Sequence, residues 1–316
     1  MREMDLSIII PCFNEEGNIN EMCGRLSGVC NSMAGLSYEI VLVNDGSTDG
    51  TWNRITELSK KHAEVTAVNL SRNYGHQLAL SAGLSLCVGG RILIIDADLQ
   101  DPPELLPEMM QIMDSGYDVV YGKRIKRQGE TWLKKVAAKI FYRLLDFLSD
   151  IHIHNDTGDF RLINQKVLKA LNSMPEANRF IRGMISWVGF RQAPIMYERE
   201  KRHSGETHYP FPKMLRLAID AITGFSMKPL RTAFFFGLFS AFLGLIFLIY
   251  AFYTWITEKV VPGWTSIVSI ILIMNSTQFI LLGLMGEYIG RIFIESKRRP
   301  NYFIDEIIKG GEKITK

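Results

Sequence analysis

The run Asp96-Ala97-Asp98-Leu99-Gln100-Asp101-Pro102-Pro103-Glu104 follows the stretch Arg91-Ile92-Leu93-Ile94-Ile95 without a break. A buried strand that ends in carboxylates at i and i+2 presents both at its C-terminal edge, where open α/β sheets bind ligands. Carboxylate and amide oxygens from Asp96, Asp98 and Gln100 are hard ligands, suited to Mg2+ or Mn2+ rather than zinc. No His or Cys stands beside them in sequence to argue otherwise. The chemistry indicated is metal-assisted handling of a phosphate. Asp101 is placed to cap a following helix whose first turn accepts Pro102 and Pro103 and favours Glu104.

Other polar clusters follow other aliphatic runs. Pro11-Cys12-Phe13-Asn14-Glu15-Glu16-Gly17-Asn18, Asn44-Asp45-Gly46-Ser47-Thr48-Asp49-Gly50 and Leu70-Ser71-Arg72-Asn73-Tyr74-Gly75-His76 each succeed a short strand pattern. Converging on one sheet edge, they suit a nucleotide. Asp45 can accept from a base or ribose, Gly46 permits close approach, and Asp49 is placed to begin a helix. Arg72 and His76 either contact phosphates or brace their loop. Further on, Asp156-Thr157-Gly158-Asp159-Phe160-Arg161-Leu162 sets carboxylates beside a flexible Gly ahead of a helical Asn164 to Asn172. Asp159 there is a general base, a substrate-positioning group or a helix cap. The loop Arg199-Glu200-Lys201-Arg202-His203-Ser204-Gly205-Glu206-Thr207-His208-Tyr209 is dense in donors and suits paired phosphate groups.

The elements that must position these residues are legible in outline. Runs at Leu6 to Ile10, Glu39 to Val43, Val65 to Asn69, Arg91 to Ile95 and Asp118 to Tyr121 alternate with helical stretches, the signature of an α/β fold with a mostly parallel, Rossmann-like sheet and helices on both faces. Neither G-x-G-x-x-G nor G-x-x-x-x-G-K-[ST] occurs, which removes the dinucleotide fingerprint and the Walker loop. Thr131 to Leu148 reads as a basic amphipathic helix suited to a bilayer surface, and Phe211 to Lys228 as a second such segment.

The remainder of the 316 residues changes character. Between Arg231 and Glu258 lie 26 residues without a charge, and between Lys259 and Glu287 another 27. About 20 helical residues cross a hydrocarbon core, so these read as two membrane helices joined at Glu258 to Gly263. Lys228 and Arg231 before the pair, and Arg291, Lys297, Arg298 and Arg299 after it, put both flanks in the cytoplasm by the positive-inside rule. Leu6 to Ile10 is too short for a cleavable signal and stops at Pro11. Cys12, Cys23, Cys30 and Cys87 show no C-x-x-C pairing and read as reduced structural thiols. A net charge of +3 is too small to indicate nucleic acid. The domain reading is 1–130 for the nucleotide part, 131–210 for the acceptor part, 211–230 juxtamembrane, 231–290 membrane and 291–316 a cytoplasmic tail.

Taken together, SIIIPCFNEE, EIVLVNDGSTD, LSRNYGHQLAL, ILIIDADLQDPPE, TGDFRL, RHSGETHY and the C-terminal hairpin resemble family 2 glycosyltransferases of the GT-A fold. The likeness is closer to the polyprenyl-phosphate glycosyltransferases, the group containing dolichyl-phosphate mannose synthase and bacterial bactoprenol glucosyltransferases. The resemblance implies that Pro11, Asn14, Glu16 and Asp45 hold the nucleoside. It implies that Asp96, Asp98 and Gln100 bind the metal, Mg2+ or Mn2+, and the sugar-nucleotide diphosphate. Asp159 is then the catalytic or acceptor-orienting carboxylate, with Arg202 and Arg72 on phosphate. Thr207 and His208 depart from the Ser and Lys usual in the last motif. The implied reaction is inverting transfer, of glucose from UDP-glucose first, to undecaprenyl phosphate at the inner membrane for cell-surface glycan such as O-antigen. GDP-mannose, UDP-GlcNAc and UDP-linked modified arabinose are the alternative donors, a catalytically silent, membrane-tethered nucleotide-binding protein is the alternative of another class, and the resemblance is compatible with a homo-oligomer.

Overall fold

Aliphatic β-branched runs flanked by polar loops form strands here because each can bury both faces under helices. A computed structural model describes residues 4–125, 157–198, 226–257 and 263–314. These fall into two units: one takes 4–125, 157–198 and 300–314, the other the residues from 226 to 299.

In the first unit β1 (Leu6–Cys12), β2 (Tyr38–Asn44), β3 (Val65–Leu70), β4 (Arg91–Ile94), β5 (Val119–Arg124), β6 (Thr157–Asn164), β7 (Gln192–Tyr197), β8 (Ile304–Lys309) and β9 (Glu312–Ile314) form one sheet in the order β7-β5-β6-β4-β1-β2-β3-β8-β9. Only β6 and β8 run against the other strands. The mostly parallel expectation therefore holds, and the ends of β1 to β5 gather at one edge. Helices α1 (Ile19–Ser32), α2 (Thr51–Lys61) and α4 (Leu106–Asp114) bury Met22, Leu26, Ile55 and Met109 against Ile8, Ile10, Ile40 and Leu42 on one face. On the other, α3 (His76–Leu86) packs Ala79 and Ala82 on Val41, Val43 and Val68. Alternate residues of a strand thus serve opposite cores, as a period of two requires. Gly83 lets α3 approach β1 closely, since a Cβ there would lie 2.5 Å from Ile9 Cγ2.

Two elements differ from the expectations. Residues 157–164 are not a flexible loop but strand β6, slotted antiparallel between β4 and β5. Their mixed polarity hides the strand, because Gly158 and Arg161 serve the site while Phe160 and Leu162 fill the core. Helix α5 (Gln165–Ser173) follows, capped by Asn164, whose Oδ1 accepts from Val167 N–H at 3.1 Å. Nor are residues 304–314 a free tail: β8 pairs antiparallel with β3 and β9 with β8. Helix α6 (Ile181–Val188) lies between α5 and β7.

The second unit contains α7 (Lys228–Ile256) and α8 (Trp264–Ser296). Each includes a window long and apolar enough to cross a membrane, Lys228–Thr254 and Ile273–Ser296, and neither window is buried within the protein. Phe234, Phe239, Leu248, Phe279 and Ile280 are exposed. Core helices of a water-soluble domain would bury such side chains. The amphipathic stretch 131–148, most of 211–228 and the hairpin tip 258–262 lie outside the described residues.

Candidate active site

Strand pairing builds the centre. Ile94 of β4 stands opposite Arg161 of β6, so two steps further the chains bring Asp96 and Asp159 together. Glycine at 75, with φ at +95°, turns the chain into α3 and sets His76 against both. Ligand atoms of His76, Asp96 and Asp159 all lie within 4.8 Å of one another.

Asp159 is 5 % exposed and closely held. Its Oδ1 accepts from Arg182 Nε at 2.8 Å, and its Oδ2 from His76 Nε2 at 3.1 Å and Gln77 Nε2 at 3.2 Å. Arg161, itself buried, donates to the backbone carbonyls of Gly158 and Asp159. Burial alone would raise the Asp159 pKa, but the Arg182 guanidinium and then His76 outweigh it and hold the carboxyl well below the usual range. It is a permanent anion and a feeble base. For His76, burial works against protonation, yet Asp96 and then Asp159 raise its pKa to about 9. Arg182 lies outside the motifs read from the sequence, and Gln77 lies within LSRNYGHQLAL, where nothing in the run itself marks it out.

Asp96 Oδ1 is buried with no hydrogen-bond donor. Burial pushes this carboxyl's pKa up, a cost that a divalent cation removes. Asp98 is nearly buried and its Oδ1 accepts from Gln100 N–H at 3.2 Å, across a Leu99 in the left-handed region at φ +60°. Strain of this kind, about 1–3 kcal/mol, persists where surrounding structure enforces it. The unmet oxygen of Asp96 suits a hard divalent cation, and the ligand atoms that gather with it among the described residues are those of His76 and Asp159. His76 and Asp159 fit it less well, being committed to each other and to Arg182.

The three polar loops interlock. Asn14, at φ +57°, accepts on Oδ1 from Thr48 N–H at 2.9 Å and donates its own N–H to Ser47 Oγ at 3.1 Å. Glu16 Oε2 accepts from Gly50 N–H at 3.0 Å, and Asp49 Oδ1 from Thr51 N–H at the start of α2. Asp45, 2 % exposed, accepts from the N–H groups of Tyr74 and Gly75 at 2.7 and 2.9 Å. The close approach at Gly46 is made by the third loop: a Cβ at its φ of +63° would lie 2.6 Å from the Arg72 carbonyl carbon. Pro11 is buried within β1, and Arg72 stacks on the Tyr74 ring at 4.3 Å.

One reading fails outright. Asp101 caps no helix; it is fully buried, accepts from Tyr197 Oη and lies 3.8 Å from Arg124 Nη2. The helix start instead uses a single 3-10 turn at Pro103–Leu105, and Glu104 pairs with Arg25 at 2.7 Å. Buried, Asp101 needs charged and hydroxyl partners more than a helix needs its cap. Asp156, Arg202, Thr207 and His208 lie outside the described residues.

Residues 7–171 match the model of the family described as Glycosyl transferase family 2, and residues 228–292 that of the GtrB C-terminal hairpin. The chain belongs to glycosyl transferase family 2. This family 2 glycosyltransferase is 44 % identical over 306 residues to an uncharacterized glycosyltransferase, YkcC, of Bacillus subtilis (strain 168), covering 96 % of this chain and 94 % of that one. It is 36 % identical over 302 residues to the bactoprenol glucosyl transferase of Shigella phage SfV, covering 95 % and 98 %. Among solved structures, S. aureus TarS 1-349 in complex with UDP-GlcNAc is 19 % identical with a TM-score of 0.48, over 70 % and 66 % of the two chains. The glycosyltransferase therefore presents a half-buried carboxylate, one oxygen of which is buried and unmet, beside a second, clamped carboxylate at the edge where its strands end. Asp96 offers its unmet oxygen to a cation, while Asp159, bonded on both oxygens, is suited to orienting a reacting group.

Proposed function

We propose that this glycosyltransferase moves glucose from UDP-glucose to undecaprenyl phosphate, with inversion, at the cytoplasmic face of a bacterial plasma membrane. The observation that carries this reading is the clamp on Asp159. A carboxylate held by Arg182 and His76 cannot strip a proton from a hydroxyl of ordinary acidity. A phosphate monoester, with a second pKa of about 6, arrives as an anion and needs no such help. Asp159 then positions the acceptor. The two long apolar helices supply the reason for a lipid-borne phosphate, and likeness to a bactoprenol glucosyl transferase favours glucose.

In this reading Asn14, Glu16 and Asp45 keep the nucleoside loops in register, with Pro11 at the root of the first. Asp96, Asp98 and Gln100 would hold Mg2+ or Mn2+, which when bound neutralises charge developing on the departing diphosphate. Arg72 and Arg202 serve phosphate oxygens. The phosphate oxygen attacks the anomeric carbon as the bond to the diphosphate breaks, so an α-linked donor gives a β-linked lipid-phosphate sugar.

Membrane orientation has its own support. Strands that precede and follow the hairpin in sequence, β7 and β8, belong to one sheet, which supports placing both flanks on the same side. The basic flanks make that side the cytoplasm. Purified full-length protein with Mg2+ or Mn2+ and undecaprenyl phosphate, offered UDP-glucose, UDP-GlcNAc, GDP-mannose and UDP-linked arabinose derivatives, is expected to transfer glucose fastest. Exclusive use of GDP-mannose would overturn the donor assignment.

A further inference from the structure

Gln77 makes two bonds at once across the site. Its Nε2 donates to Asp159 Oδ2 at 3.2 Å, and its Oε1 accepts from Ile181 N–H at 2.9 Å. Ile181 is the first residue of α6, and Arg182, the second, sends Nε to Asp159 Oδ1 and Nη2 to Oδ2 at 3.5 Å. One amide thus fixes both the carboxylate and the start of the helix that supplies its guanidinium. Helix starts leave backbone N–H groups without intrahelical partners; here one of these is spent on tying α6 to α3.

The clamp meets a physical need. Asp96 and Asp159 contribute oxygens to one cluster less than 4.8 Å across. Two adjacent carboxylates, Asp159 buried and Asp96 half-buried, repel, and an unsupported Asp159 would turn away from Asp96 or take up a proton. Arg182 reaches both oxygens, Gln77 holds Oδ2 alongside His76, and Arg161 donates to the carbonyls of Gly158 and Asp159.

We infer that Arg182 and Gln77 are positioning residues for sugar transfer, locking the Asp159 carboxylate in one orientation beside Asp96 so that it can align the incoming acceptor. This rests on the proposed role of Asp159 as an acceptor-orienting group. Displacement of about 1 Å at a reacting centre can cost about 100-fold in rate. Arg182→Gln and Gln77→Leu should lower kcat roughly 10- to 100-fold while Kd for UDP with Mg2+, read by calorimetry on full-length protein, stays within about 3-fold. Arg182→Lys should recover part of the loss, because a point charge replaces a fork. Adding Arg182→Gln to Asp159→Asn should cost little beyond the single variant, since residues acting through one group are not additive.

A crystal structure of Arg182→Gln supplies a readout independent of any substrate. Asp159 is expected in a different rotamer or in several. An unmoved Asp159, losses that multiply with those of Asp159→Asn, or UDP affinity falling in parallel with kcat would each overturn the inference. If parent protein transfers no sugar to the lipid phosphate, the proposed function fails, and the Asp159 rotamer still decides the clamp.

Discussion

At the level of single residues, charge and burial decide the chemistry. His76 shows how. Its pKa in the folded protein, about 9, lies above its ordinary value of 6.5, so the folded state binds the proton more tightly than the unfolded chain. Its contribution to stability is complete below about pH 6.5 and is lost as pH rises through about 9. In chelator, the melting temperature should decline between pH 7 and pH 9.5, and His76→Gln should flatten that decline; an equal decline in the variant would contradict the assignment. Asp159 contributes in the opposite sense: its contribution is present above its ordinary pKa and is lost as pH falls through the lowered one. Asp96, Asp98 and Asp159 were visible in the sequence as candidates because carboxylates after an aliphatic strand or beside a glycine stand out, and the structure brings two of them, Asp96 and Asp159, together with His76. Arg182 and Gln77 were not visible in this way, since their meaning comes from α3 and α6 meeting over β6, a juxtaposition that no local spacing encodes. Asp101 was misread for the same reason: D-P-P-E is a good helix start locally, and Tyr197, its partner, lies 96 positions away.

At the level of elements, β1 to β5 could be read from their aliphatic runs, whereas β6, β8 and β9 could not. TGDFRLIN carries a glycine and two charges, and IDEIIK mixes three charged residues with three isoleucines near a sheet margin. Such strands exist through their partners, β4 and β5 in one case and β3 in the other. Loop packing is equally tertiary. Gly46 is required because the third loop crosses it, and Asp45 is held by amides of that same loop. Alanine at 46 would carry about 1–2 kcal/mol of left-handed strain and a backbone clash besides. Gly46→Ala should lower the melting temperature and weaken UDP binding several-fold, as followed by scanning fluorimetry and calorimetry. Wild-type affinity for UDP would show that the loop junction is not part of the nucleotide site.

Across the whole molecule, the return of residues 304–314 to the sheet makes the topology more than a charge count. Any crossing of the membrane between β7 and β8 must be even in number. The hairpin was legible from its uncharged stretches, though the reading of 291–316 as a tail missed what those residues do. With a membrane-impermeant maleimide on intact cells, Val260→Cys at the hairpin tip should be labelled and Glu312→Cys only after permeabilisation. Labelling of Glu312→Cys from outside would reverse the orientation.

The central claim is that a clamped, non-basic Asp159 serves an acceptor that is already an anion. Mass spectrometry of lipid products, with UDP-glucose and either undecaprenyl phosphate or undecaprenol as acceptor, measures it directly. The expected result is a glucosyl phosphodiester from the phosphate and no product from the alcohol. Comparable transfer to undecaprenol would mean that a base operates in this site, and would contradict the account.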